Sequence, residues 1–516
     1  MNVCKAWLVT VLVVAGSTSF ALPNLGDGAE MSPAQERRLG DSIVRSLYRD
    51  ADYLDDLVVM DYVQSIWQPL LLSAKKRGDL PQDLADTFAW EILLGRDRSV
   101  NAFALPGAYF GLHLGLVGAV SSRDELASVL AHELSHVTQR HIARNIAQQN
   151  AQAPWVMGAM ILGILAASKS ANNGQAANAM ITGGQALAVQ SQLNFSRDME
   201  READRVGFGV MTEAGFAAQG FVGMFEKLQQ SNRLNDSGGF AYLRSHPLTT
   251  ERISDMQSRM PLSGAANASG LATGAAALAW SAQDLEPALM GARARVLSNG
   301  GVDALRVWQG DLKPAVLSAK SPVQQAAALY GGAFAALKLR DYAQAQTLCE
   351  QLRVRVQGNA AAVRLALLLE AEIALTQGDA ARALAVLQSD ATLTSRAGQL
   401  LRAQAQTLAA QPAGIEQAAQ TLRAWVIDHP RDAKGWSFLA AAYTAQGRNV
   451  AAVRALAQVD LLQLDYAAAL ARLRAAQDLV RSGNWGPMGP DHIEAAIVDT
   501  RTREVLQLTR EQAVER

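Results

Sequence analysis

The sequence predicts a mainly α-helical protein in two parts: an N-terminal α+β domain with a small sheet, then an α-solenoid of short helical repeats. Three observations carry this. Strand-like segments interrupt the helical periodicity between residues 87 and 117. A small-residue, uncharged stretch, "PLSGAANASGLATGA" at 261–275, reads as a linker. Beyond it, short turns followed by an alanine recur at Ala345, Ala383, Ala418 and Ala452, at intervals of 38, 35 and 34 residues. At 516 residues and 49 % hydrophobic content the chain is long and apolar enough for more than one core.

The N-terminus, "MNVCKAWLVTVLVVAGSTSFALPNLGD", reads as a secretory signal peptide. Lys5 supplies the positive start, residues 6–16 are almost wholly apolar, and Ser19 and Ala21 give a small-x-small site before Leu22. The competing reading is a membrane anchor, but the apolar run is short for ~30 Å of hydrocarbon. Residues 1–21 are thus expected to be removed on export. Cys4 leaves with them, and Cys349 then stands alone, so no internal disulfide is expected. A net charge of −1 argues against nucleic acid as a partner.

Residues 34–76 have helical periodicity. "TFAWEILLGRD" and "SVNAFALPGAYFGLHLGLVG" read as short strands, with Pro106-Gly107 as a turn. At Ser122-Arg123-Asp124-Glu125 a hydroxyl at the N-cap and a carboxylate at N3 form a capping box that starts a helix. The apolar segment at 153–168 fits equally a buried core helix and a stretch in peripheral contact with a membrane or a partner. Further helices are expected over about 186–213, stopped by Gly215, and 217–231. In the C-terminal part a period near 34 with helix–turn–helix units is the tetratricopeptide pattern. Trp436, Gly447, Ala452 and Pro430 take its aromatic, turn, alanine and closing positions. The expected divisions are a signal peptide at 1–21, a first domain at 22–260, a linker at 261–275, repeats at 276–485 and a helical tail at 486–516.

Three of the seven histidines lie in "AHELSHVTQRH" at 131–141. At ~100° per residue, His132 and His136 lie ~40° apart on one helical face, one turn above the other. Both imidazoles can therefore reach one ion, and Glu133 beside them can touch its water without ligating the ion. This is the HExxH arrangement of a zinc hydrolase. On a continuous helix His141 lies half a turn away and is expected to point away from the site. A third ligand must come from elsewhere, and "SRDMEREADRVG" at 196–207 offers Glu200 and Asp204 on one face. Glu200 completes a two-His, one-Glu set, while Asp204 can orient a ligand histidine or assist proton transfer. Glu202 points ~200° from Glu200, so only one of the two can face the site.

HExxH followed by Glu-x-x-Ala-Asp on a downstream helix resembles the M48 family of zinc metallopeptidases. "NAFALPGAYFGLHLGL", "ELASVLAHELSHVTQRH", the signal peptide and the repeats resemble its soluble periplasmic branch. The close resemblance covers about residues 22–260. It implies a zincin-like α+β metallopeptidase domain with a small edge-exposed sheet, followed by an α-solenoid of tetratricopeptide-like repeats. It implies one zinc ion per chain, held by His132, His136 and Glu200, with Glu133 as catalytic base and Asp204 as a proton donor. It implies that a sheet edge, either Asn101, Ala102, Phe103, Ala104 and Leu105 or Tyr109 to Leu114, pairs with the extended substrate. In such proteases a histidine in a loop like "LRSHPLTTERI" can occupy zinc's open position, which makes His246 a candidate regulatory fourth ligand. Arg252 in the same segment is a candidate to bind the carboxylates near zinc or the substrate. The implied activity is a periplasmic endopeptidase, peripheral to the outer membrane, acting in quality control and assembly of outer-membrane proteins. Its substrates are unfolded or stalled outer-membrane proteins, and its repeats engage the assembly machinery. The rival readings are a chaperone or scaffold with a gated or dormant protease site, and a zinc hydrolase of cell-wall peptides.

Overall fold

In a computed structural model of the chain, residues 31–148, 195–234, 241–260, 285–390, 393–487 and 489–514 are described. The expected signal peptide, the linker at 261–275 and the apolar segment at 153–168 lie outside those residues. Among the described residues, no helix is long and apolar enough to cross a membrane.

Helix α1 (Pro33–Tyr48) starts at Ser32, whose side chain and that of Gln35 cap each other's backbone N–H, with Pro33 pre-set at the first helical position. Helix α2 (Leu57–Arg77) is capped by the Asp56 carboxylate and stops at Gly78, whose φ of 79° suits a residue without Cβ. A short α3 (Gln82–Thr87) leads into the sheet. Strands β1 (Tyr53–Leu54), β2 (Glu91–Gly95), β3 (Ala102–Leu105) and β4 (Tyr109–His113) lie in the order β1-β2-β4-β3. β2 runs parallel to β4, and β3 is antiparallel to β4 with Ala102 opposite Leu112. Of the two candidate edge segments, Tyr109–His113 therefore falls inside the sheet, and Leu114 already belongs to helix α4 (Leu114–Ala119). β3 lies at the margin, with no strand on its outer side among the described residues. Asn101 flanks it, its carbonyl accepting from the His113 N–H.

Helix α5 (Arg123–Thr138) begins as expected, with Ser122 Oγ accepting from the Glu125 N–H. The capping box is only half formed. Glu125 instead accepts from the Ser121 N–H and from Lys227. From Glu125 to Thr138 every residue of α5 is buried, and α5 packs on α2, β3, α7 (Arg197–Glu213) and α8 (Gln219–Leu234). The described part of the helix expected from 186 begins at Arg197, where Ser196 caps the Met199 N–H, and Gly215 follows its end at φ 90°. Gly207 lets α7 approach α5 closely, since a Cβ there would stand 3.0 Å from the Ala131 carbonyl oxygen.

The C-terminal part is built of successive helices joined by short turns. Pro322–Lys338 pairs with Tyr342–Arg355, Ala360–Gln377 with Ala380–Gln388, Arg396–Leu408 with Pro412–Asp428, and Ala433–Ala445 with Asn449–Leu462. The periodic Ala345, Ala383, Ala418 and Ala452 all lie buried in the second helix of a pair, where a methyl group is all the space between helices admits. Tyr466–Arg481 and His492–Val514 close the array on a small core that includes Val498 and Val505.

One apolar core runs from α2 and α5 into these helices without a break. Helix Leu285–Ser298 bridges the two parts, packing on α4 and on Pro322–Lys338. Its fully buried Arg293 donates to both oxygens of Asp56 and both of Glu372, and lies 4.2 Å over the Phe334 ring. Arg293→Met would leave two half-buried carboxylates without their shared cation. The expected loss is about 3–5 kcal/mol, measured as a lower urea midpoint, and an unchanged midpoint would contradict this role.

Candidate metal centre

Four side chains from three segments converge between α5 and α7. His132 and His136 on α5 hold their Nε2 atoms 3.0 Å apart. Glu200, in the first turn of α7, places Oε2 3.5 Å from His132 Nε2 and Oε1 3.5 Å from His136 Nε2. His246 follows the short helix α9 (Tyr242–Ser245). Its Nδ1 lies 3.0 Å from Glu200 Oε1 and 3.3 Å from His132 Nε2. All four side chains are buried, and one donor atom from each lies within 4.8 Å of every other.

This arrangement fits a metal ion. Ligands at ~2.0–2.1 Å around a tetrahedral zinc stand about 3.3 Å apart, close to the spacings here. Three imidazoles and a carboxylate are its usual borderline donors. Among the described residues, neither oxygen of the fully buried Glu133 has a partner at hydrogen-bonding geometry, an arrangement costly in a dry interior unless a water or ion meets them. Glu133 Oε1 is 3.4 Å from His246 Nε2, so this glutamate and the fourth donor share one side of the cluster. His246 itself is held by face-to-face stacking on Tyr242 at 4.6 Å.

Behind His132, its Nδ1 lies 2.9 Å from Asp204 Oδ1. Arg252, on helix α10 (Thr250–Ser258), donates Nε and Nη2 to the two Asp204 oxygens at 2.6 and 2.8 Å. Its Nη1 donates to the Pro247 carbonyl and lies 2.7 Å from Glu200 Oε2. Arg252 therefore meets the carboxylates of the cluster. Asp204 has the geometry of a group that orients His132. Both its oxygens accept from Arg252, and its Oδ1 also faces His132 Nδ1.

His141 stays outside the donor cluster, as expected of it, but it does not point away from His136. It is fully buried, and its Nδ1 lies 2.9 Å from His136 Nδ1 while its Nε2 lies 3.0 Å from Glu202 Oε2. A half-turn offset holds only on a continuous helix. Helix α5 ends at Thr138, Arg140 takes φ 55°, and α6 (His141–Gln148) starts in a new direction. Arg140 holds that turn by reaching Glu36 and the Met31 carbonyl on the α1 side. Glu202 faces away from the cluster, as its rotation requires, and meets His141 and Arg144. Phe195 stacks on His136 at 3.9 Å. Neither Phe195 nor Tyr242 carries a sequence signal that marks it, because each reaches the cluster from a distant part of the chain.

The charges follow from these contacts. Burial works against the His132 imidazolium, but Asp204 and Glu200 outweigh it and push its pKa up to about 9. Burial, reinforced by the cationic His132, holds His136 well below its ordinary value. Burial disfavours charge on Glu200 and Asp204, yet His246 and His132 for the first, and Arg252 for the second, hold them below the usual carboxylate range. Burial pushes Glu133 up, toward the range a base working near neutrality needs.

Comparisons with known proteins agree with this site. The sequence profile of peptidase family M48 matches residues 62–260. The chain is 31 % identical over 433 residues to a beta-barrel assembly-enhancing protease of Yersinia pestis, spanning 83 % of this chain and 81 % of the relative. It is 30 % identical over 500 residues to the Escherichia coli protein of that name, spanning 94 % and 91 %. A Vibrio cholerae relative, 34 % identical over 249 residues, is matched over 49 % of its own length and 48 % of this chain. With a buried His-His-Glu-His cluster beside a buried glutamate, and with likeness over nearly its whole length, the chain belongs to the M48 metallopeptidases, in the group of the beta-barrel assembly-enhancing proteases.

Proposed function

We propose that the chain is a zinc-dependent endopeptidase of the periplasm that acts on unfolded or stalled outer-membrane proteins, with His246 as its gate. The cluster of His132, His136, Glu200 and His246 around one point carries this reading. The names of the Yersinia and Escherichia relatives support the link to outer-membrane assembly. The signal-like N-terminus supports the address.

His132, His136 and Glu200 would hold the zinc ion, which would supply Lewis acidity toward a water and a peptide carbonyl. Glu133 takes the proton of that water as general base and carries it to the leaving amine. Asp204, fixed by Arg252, keeps His132 aligned. The outer edge of β3 pairs with an extended substrate backbone, which gives affinity without demanding particular side chains. His246, whose Nδ1 lies beside His132 Nε2 and Glu200 Oε1, would compete with a water for the ion and so keep the enzyme idle. The tetratricopeptide-like helices hold the substrate or the assembly machinery. The scaffold reading gains from the same His246, since a site closed at rest is dormant until opened.

Zinc binding and proton release are tested together by calorimetry on metal-stripped protein. His132 has a pKa near 9 before the ion arrives, so at pH 7 it carries a proton that the ion must displace. One zinc per chain and about one proton released are expected, with apparent affinity rising with pH up to about 9 and levelling above. His132→Ala should abolish both signals. Failure of the wild type to take up zinc would overturn the proposal.

A further inference from the structure

His136 contacts two different neighbours through its two ring nitrogens. Nε2 faces the donor cluster, and Nδ1 lies 2.9 Å from His141 Nδ1. His141 Nε2 in turn lies 3.0 Å from Glu202 Oε2, which also accepts from Arg144 Nη1 at 3.0 Å. A neutral imidazole has one N–H and one lone pair, and a carboxylate only accepts. Glu202 therefore requires the His141 hydrogen on Nε2, which leaves a lone pair on His141 Nδ1. Two lone pairs facing each other across 2.9 Å repel, so His136 must carry its hydrogen on Nδ1. Its Nε2 then presents a lone pair to the cluster. Of the four combinations of neutral tautomers, only this one satisfies every contact.

We propose that Glu202 and His141 form a hydrogen-bond relay that fixes His136 in the tautomer and ring orientation needed to bind the metal ion. His141 is then a positioning residue, and the inference rests on the metal-binding reading above. The two histidine ligands are supported unequally. His132 has a carboxylate at its Nδ1 directly, Asp204 at 2.9 Å. His136 reaches its carboxylate through a second imidazole, which the turn at Arg140 brings back onto it. Phe195, stacked on the His136 face, restricts ring rotation but cannot choose a tautomer, since an aromatic face makes no demand on Nδ1.

The test is zinc affinity of the full chain, by competition with a chromophoric chelator. His141→Phe keeps the ring volume and loses the acceptor. His141→Asn loses volume but places an amide oxygen where His141 Nδ1 accepts. The relay predicts that His141→Phe binds zinc about 10–100-fold more weakly and that His141→Asn recovers most of that loss. A packing role predicts the reverse order. Wild-type affinity in His141→Phe, or equal affinities in the two variants, overturns the relay. Glu202 is partly exposed, with 29 % of its side chain accessible, and repeats the comparison without disturbing the buried ring. Glu202→Gln retains an acceptor and should bind as the wild type, whereas Glu202→Leu should bind more weakly, and equal affinities overturn the relay. His136→Ala separates the two levels of the argument. If it binds zinc as tightly as the wild type, the metal site itself is wrongly assigned. If it loses zinc while both His141 variants keep it, only the relay fails.

Discussion

Glu133→Gln is expected to lower kcat/KM for peptide cleavage by about 10²–10⁴-fold while leaving one zinc per chain in place. General bases contribute a factor of that size, and an amide cannot accept the proton of a water. The variant is nearly isosteric at a position with no exposed surface, and it removes a carboxylate whose charge burial already disfavours. Folding stability should therefore hold or rise, which separates loss of chemistry from loss of structure. The measurement is cleavage of a fluorescent casein alongside metal content. Cleavage within tenfold of the wild type would remove Glu133 from the mechanism.

Arg252→Met is expected to destabilise the metal-free protein by about 3–5 kcal/mol. Arg252 is the cation shared by Asp204 and Glu200, both of them 2 % exposed or less. Methionine fills similar volume but leaves two buried carboxylates with only imidazoles beside them, His132 for both and His246 for Glu200. Arg252→Lys should recover little, because one ammonium cannot reproduce the fork onto Asp204. Chemical denaturation reads both variants. A loss under about 1 kcal/mol for Arg252→Met would mean that the carboxylates are not held by this arginine.

The centre of the site was legible because it is periodic. Two histidines four apart and a glutamate between them specify one helical face, and the same rotation separates Glu200 from Glu202. Helix caps at Ser122 and Ser196 are equally local. What escaped the sequence depends on distant parts of the chain. His141 was misplaced because helix α5 is broken at Arg140, and no glycine or proline marks the break. The Arg140 side chain at that turn meets Glu36 of α1 and the Met31 carbonyl just before it, both over a hundred residues earlier in the chain. Asp204 was given two roles because spacing places it near His132 but says nothing of Arg252, 48 residues on. The sheet margin was open between two segments because strand order is a matter of pairing. The parallel match of β2 with β4 puts Tyr109–His113 inside and leaves Ala102–Leu105 at the edge. Glu125 has the capping-box spacing, yet a cation from α8, Lys227, takes its carboxylate.

The proposed metal centre cleaves peptides and is closed at rest by His246. Its most direct test is casein cleavage by three purified, zinc-loaded proteins: the wild type, His246→Ala, and His246→Ala combined with Glu133→Gln. The account predicts that His246→Ala cleaves at least tenfold faster than the wild type, because the fourth position opens to water while His132, His136 and Glu200 keep the ion. That order of magnitude corresponds to releasing a resting state populated about 90 % or more. The combined variant should be inactive. A His246→Ala protein no faster than the wild type, or cleavage that survives the loss of Glu133, would contradict it.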